Sequence, residues 1–133
     1  MTEVMTQAQT YTFRLPWPPS INAMWRAVPR RGVILSARGR AFRAMAVAAI
    51  QAQRDDMPAE LLTGRLAVRL QLYPPDRRKR DVDNLAKAPF DAITASAAVW
   101  LDDSQVDTLL IERRESVGKA SASILVTIKV LVE

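Results

Sequence analysis

The chain contains no cysteine and no histidine. The first absence excludes disulfide frameworks, thiolate metal sites and thiol nucleophiles. The second removes the side chain that titrates near neutrality, so neither a histidine base nor an imidazole-ligated metal is available. Any catalytic metal then rests on carboxylates, which favour hard ions such as Mg²⁺ or Mn²⁺. No run of about 18 apolar residues occurs, so no membrane-spanning helix is expected. Residues 1–9 lack the basic-then-apolar layout of a secretory leader, which places the protein in the cytoplasm. Internal repeats and low-complexity tracts are absent as well.

What is present fits one ordinary folding unit. The 133 residues are 49% apolar and 25% charged, enough for a real core in one domain. We expect a flexible tail over residues 1–10 and a single domain over 11–133. Lysine and arginine number 19 against 14 acids, a net charge of +5. A basic surface of this kind suits a polyanionic partner such as nucleic acid.

Periodicity divides the chain into alternating elements. Tyr11, Phe13 and Leu15 alternate with polar residues and predict a short strand, stopped by Pro16-Trp17-Pro18-Pro19. Ser20 to Val33 shows no period and reads as a long loop holding Asn22, Trp25, Arg26, Arg30 and Arg31. Arginine interleaved with tryptophan can clasp and stack on nucleic acid; alternatively, Trp25 plugs the edge of the core. Ser36 reads as the N-cap of a helix over 37–54, with a buried stripe at Phe42, Met45, Ala49 and Ala52. Leu66, Val68, Leu70 and Leu72 form the cleanest strand, ended by Pro74-Pro75. A second helix is expected after Asp83. Pro89 either kinks it or forces its regular part to begin near Ala88. Val106 to Arg113 and Ser123 to Val132 read as two strands joined around Gly118 as a hairpin. The order strand, helix, strand, helix, strand, strand implies an α+β fold, a small mixed sheet of about four strands with two helices packed on it.

The chemistry concentrates between the second strand and the second helix. Arg77-Arg78-Lys79-Arg80 runs directly into Asp81-Val82-Asp83, Lys87 follows, and Asp102-Asp103 arrives about one helix later. Cations beside a carboxylate cluster can hold a polyanion against divalent ions, and such ions can activate water and neutralise a phosphoryl transition state. In extended backbone, Asp81 and Asp83 would point the same way. Asp83 could cap the second helix, with Lys87 a turn further along, free to meet the scissile phosphate. Adjacent Asp102 and Asp103 point apart in extended backbone, so only one of them is expected to reach a metal. The residues thus predict a metal-dependent nuclease, with a non-catalytic DNA-binding module or a charged interaction domain as alternatives.

At these residues the sequence resembles the RusA family of Holliday-junction resolvases. The resemblance is carried by Pro75-Asp76-Arg77-Arg78-Lys79-Arg80-Asp81-Val82-Asp83-Asn84-Leu85, by Lys87 and Phe90-Asp91-Ala92, and by Trp100-Leu101-Asp102-Asp103-Ser104-Gln105-Val106. Leu15-Pro16-Trp17-Pro18-Pro19-Ser20 with Asn22 forms a second patch. A weaker one is Leu35-Ser36, Gly39 and Phe42-Arg43. The resemblance implies a homodimeric endonuclease that needs Mg²⁺, with Mn²⁺ a possible substitute. It would bind four-way or branched DNA and cut it by paired symmetric nicks. It also implies that Asp81, Asp83 and Asp103 bind the metal and that Lys87 is catalytic. Arg77, Arg78, Lys79 and Arg80 would lie along the DNA, and we add Asn22 and Arg26 as candidate contacts. Pro89, and Arg38 where the family tends to be acidic, depart from its pattern.

Overall fold

A computed structural model describes residues 9–131. Most of the expected tail lies outside these residues, and Thr10 already begins the first strand. The elements are β1 Thr10–Pro16, α1 Ile21–Met24, β2 Trp25–Val28, β3 Gly32–Leu35, α2 Ala37–Ala52, β4 Leu66–Tyr73, α3 Lys87–Ser96, β5 Val106–Arg113 and β6 Ser123–Val130. The fold is α+β as expected, with a mixed four-stranded sheet and two main helices. A two-stranded β2–β3 ribbon is added.

Sheet order is β1-β6-β4-β5. β6 runs antiparallel to both β1 and β4, whereas β4 and β5 are parallel. A parallel pair needs a crossover, and α3 supplies it between β4 and β5. One row of core residues crosses all four strands: Phe13, Val126, Leu70 and Ile111. Leu66, Val68, Leu72, Ile124 and Ile128 extend the same face, and all are buried with the inner residues of α2 and α3. Thr12, Arg14, Arg69 and Lys129 lie on the other face, which is largely open to solvent.

The expected hairpin between the last two strands does not form. β6 alternates apolar residues along its whole length and is fit to lie between two neighbours. β5 exposes Asp107, Thr108, Leu109 and Leu110 and suits an edge. The connection through Gly118 therefore passes the end of β4 to its other side, pinned by Arg114 N–H to Leu72 O (2.8 Å) and Val117 N–H to Pro74 O (3.2 Å).

Two further readings are corrected. Ser20 to Val33 is not a loop. Ser20 caps α1, and β2 and β3 pair from Trp25↔Leu35 to Val28↔Gly32. Arg30 and Gly32 take positive φ (67° and 75°) to close the turn. The buried stripe of α2 is Gly39, Phe42, Ala46 and Ile50; Met45, expected inside, is 60% exposed. The apolar pattern of this alanine-rich helix was too even to fix its phase. Ser36 does cap α2, accepting from Gly39 N–H at 3.0 Å, but the helix ends at Ala52 and Arg54–Asp56 forms a 3₁₀ turn.

Pro89 is the third residue of α3, inside the first turn, where backbone N–H groups have no helical acceptor. It neither kinks the helix nor wastes a hydrogen bond. Of the two alternatives, the regular helix beginning beside Ala88 is the one found, at Lys87.

Gly39 lets α2 meet α1. A Cβ there would strike Met24 O and come within 2.9 Å of Leu35 Cδ2. Gly39→Ala should therefore cost about 1–3 kcal/mol in urea unfolding, as overpacked cores do. Gly64, with nothing within 4 Å of its would-be Cβ, is the control. Gly64→Ala should leave stability unchanged or raise it by up to about 1 kcal/mol.

Candidate active site

Strand directions gather the site. Because β6 alone is reversed, β1, β4 and β5 end at the same side of the sheet where β6 begins. The terminal row there is Pro16, Ser123 and Tyr73. The chain leaving β1 carries Trp17, the chain leaving β4 carries residues 74–85, and the chain leaving β5 carries Arg114 to Lys119. Carboxyl ends of parallel strands are where open sheets commonly place ligands.

The basic run is shaped by Asp76. Its carboxylate accepts Arg78 N–H at 2.9 Å and an Arg80 Nη1–H at 2.9 Å, with Arg78 Nε at 3.6 Å. The hydrogen bond from Arg80, then that from the Arg78 backbone, holds this carboxyl below the usual range. Arg80 lies over the Trp17 ring, 5.5 Å from its centroid, a cation–π contact held in place by the stiff Pro-Trp-Pro-Pro segment. Arg113 donates to Arg80 O. The Arg80 side chain is 22% exposed and that of Arg78 83%, so the run divides into one packed arginine and three exposed cations.

The acidic pair behind α3 is held more tightly. Trp100 is buried, donates Nε1–H to Thr94 Oγ1 at 2.8 Å and meets Phe90 edge to face at 5.4 Å. Buried Gln105 uses all four of its hydrogen-bonding positions. Its oxygen accepts from Leu101 N–H (2.9 Å) and Asp102 N–H (3.0 Å), and its amide donates to Leu62 O and Gly64 O (2.9 Å each). Asp102 closes a capping box with Gln105 on the 3₁₀ turn Asp103–Gln105. Hydrogen bonds from Ser104, side chain first and backbone second, lower the Asp102 carboxyl. The Asp102 side chain is therefore committed to the fold. That of Asp103 is exposed and makes no hydrogen bond or ion pair among the described residues.

Asp81 and Asp83 are likewise exposed and without side-chain partners among the described residues. Their geometry differs from expectation. Asp81 is extended (φ −86°, ψ 120°), but Asp83 lies inside a 3₁₀ turn, Val82–Leu85, so the two are not on one extended strand. Nor does Asp83 cap α3; Ala86 occupies that place with no side-chain cap. Lys87 opens α3 with its Nζ 4.6 Å from the Trp25 ring centroid. Trp25 is thus half-buried against the core with a cation on its face. Its Nε1 is buried and without a partner among the described residues. Among the described residues, no three acidic side chains stand close enough to hold a metal ion. The carboxylate chemistry suits a hard cation, but the arrangement among the described residues does not close around one.

Asp81 and Asn22 line one cleft of about 640 Å³ together with Arg78, Lys79 and Arg80. Arg77 lines an adjoining cavity of about 490 Å³ with the same loop. Arg26 lines neither and is exposed on β2. Asp83, Lys87 and Asp103 lie outside both linings.

Five supporting residues, Trp17, Asp76, Gln105, Arg43 and Asp91, were given no site role by the sequence reading. Trp17 and Asp76 flank Arg80, and Gln105 sets the acidic corner. Arg43 makes a bidentate pair with Asp91 (2.9 Å twice) that ties α2 to α3. Asp91 and Arg43 both sit inside quoted motifs, but only the fold reveals that they are partners.

Comparison with known proteins gives the family. The family model described as Endodeoxyribonuclease RusA matches residues 16–129. A crossover junction endodeoxyribonuclease RusA from Enterobacteria phage 82 is 43% identical over 97 residues, covering 73% of this chain and 77% of the relative. Relatives of that name from Shigella sonnei (strain Ss046) and Escherichia coli (strain K12) match with the same identity and coverage. With the family's domain spanning all but the ends of the fold, the chain belongs to the RusA family of endodeoxyribonucleases.

Proposed function

We propose that the chain is a crossover junction endodeoxyribonuclease. It resolves four-way DNA junctions by hydrolysing phosphodiester bonds in paired, symmetric nicks. It works in the cytoplasm as a homodimer, so that two sites related by a two-fold axis address two opposed strands. Mg²⁺ is the proposed cofactor, with Mn²⁺ able to replace it. No helix among the described residues is long and apolar enough to cross a membrane.

One observation carries the site assignment. Among residues 75–112 the other acids have structural work: Asp76 holds Arg80, Asp91 pairs Arg43, Asp102 caps a turn, Asp107 pairs Arg65 and Glu112 pairs Arg69. Asp81, Asp83 and Asp103 have none among the described residues. We assign these three to metal binding and catalysis. Lys87 meets charge developing on the reacting phosphate, carried there on the first turn of α3. Arg77, Arg78, Lys79 and Arg80, with Asn22 and Arg26, contact DNA. A second reading, a branched-DNA-binding protein without catalysis, draws on the absence of three converging acids among the described residues.

Asp83→Asn separates the two. It should abolish Mg²⁺-dependent cutting of a labelled junction while binding persists or tightens, because one repelling charge is gone. A variant that cuts at the parent rate would defeat the assignment. Lys87→Ala should slow single-turnover cutting by about 10²–10³-fold, the scale for losing one charge-stabilising donor. Arg80→Ala should weaken binding to junctions of any sequence and reduce the slope of log affinity against log salt by about 1. An unchanged slope would place Arg80 off the DNA.

A further inference from the structure

The two cavities at the ends of the strands share a wall. Asp76, Arg78, Lys79 and Arg80 line both. The basic loop is therefore a ridge with a groove on either side. Beyond the shared wall the grooves differ. The larger, about 640 Å³, gains Arg38 from the start of α2 and Lys119 from the turn before β6. The smaller, about 490 Å³, gains Arg77, Arg113 and Arg114.

These cations stand outside the ion pairs of the fold, as Arg54 and Lys129 also do among the described residues, and it is their place on the grooves that sets them apart. Arg43, Arg65 and Arg69 are matched by Asp91, Asp107 and Glu112. Arg38, Lys119, Arg77 and Arg114 have no acidic partner among the described residues and are all exposed. Arg38 moreover sits in the first turn of a helix, where the helix dipole disfavours a cation. Lys119 follows Gly118, whose φ of 85° few other residues would accept, so the turn that presents it is a specific one. Cations thus outnumber acids on both flanks of one loop, with Asp81 added in the larger groove and Glu115 in the smaller, which suits two separate phosphate tracks.

We propose that the ridge at residues 76–80 lies between two diverging strands of a branched nucleic acid. One backbone follows the Arg38–Lys119 groove and the other the Arg77–Arg114 groove. Branch selectivity then comes from occupying both grooves at once. A linear duplex has no second strand path leaving the ridge and fills only one. This inference rests on the reading of the chain as a junction enzyme and adds residues and a selectivity mechanism to it.

The test measures binding in EDTA, so that it is independent of catalysis. Affinity for a fluorescent synthetic four-way junction and for a linear duplex is followed against salt. The proteins are the parent and the paired variants Arg38→Ala/Lys119→Ala and Arg77→Ala/Arg114→Ala. Arg54→Ala/Lys129→Ala is the control, with the same charge change away from both grooves. On the junction, each groove pair should lower the salt slope by about 2 and the control should not. On the duplex, only one of the two groove pairs should matter, and preference for the junction should fall in the other. A groove pair with the parent's slope on the junction overturns the proposal, as do equal losses on junction and duplex for both pairs. Failure of the parent itself to bind the junction would instead sink the underlying functional reading. Because the chain has no cysteine, Lys119→Cys offers a second check. By exchange that releases a small thiol, it should form a mixed disulfide with a junction carrying an activated disulfide tether beside the branch, and Lys129→Cys should not.

Discussion

The direction of β6 is the constraint on which the rest depends. Placed antiparallel between β1 and β4, it sends the ends of β1, β4 and β5 to one side of the sheet and starts from that side itself. The pairing is fixed by the core: sliding β6 by one residue would turn Ile124, Val126 and Ile128 toward solvent and Leu125 and Thr127 inward. Trp17, the loop after β4, Arg113 and Lys119 are remote in sequence and become neighbours only through this register. The proline pairs at 18–19 and 74–75 then stop the strands, so that the chain opens into loops just where these residues converge.

Charge follows the same division between scaffold and site. On the scaffold, Arg43, Arg65 and Arg69 are each matched by an acid, as in the bidentate Arg43–Asp91 pair between the two helices. At the strand ends, most cations are left over. Asp76 is the exception, and its role is local: it holds Arg80 against Trp17, takes a looser contact from Arg78, and leaves Arg77 and Lys79 unpaired among the described residues. One packed guanidinium beside exposed cations suits a loop that must first attract a polyanion and then set its register.

Much of this was legible in the sequence because it was local. The alternation in β1, β4 and β6, the Ser36 cap and the motif from Pro75 to Leu85 can each be read from a few neighbouring residues. What was not legible depended on packing or on distant partners. The α2 stripe could not be phased, since alanines occur on every face of that helix. The β2–β3 ribbon lacks an alternating pattern and closes through Arg30 at positive φ, which composition does not announce. The sequence of β5 does not reveal that it lies at an edge, because a strand's neighbours are chosen by the whole sheet. At the site, the residue types of the acids were plain, but their conformations were not. Asp83 turned out to lie in a 3₁₀ turn, and the division of labour between Asp102 and Asp103 became visible only once Gln105 was placed.

The central claim is that this arrangement cuts DNA at a branch. Its most direct test is incubation of the purified full chain with a strand-labelled synthetic four-way junction and a linear duplex, each with Mg²⁺ or with EDTA. The account predicts paired nicks at symmetric positions on the junction, little or no product from the duplex, and none from either in EDTA. Tight binding to the junction without cleavage at any Mg²⁺ or Mn²⁺ concentration would contradict it.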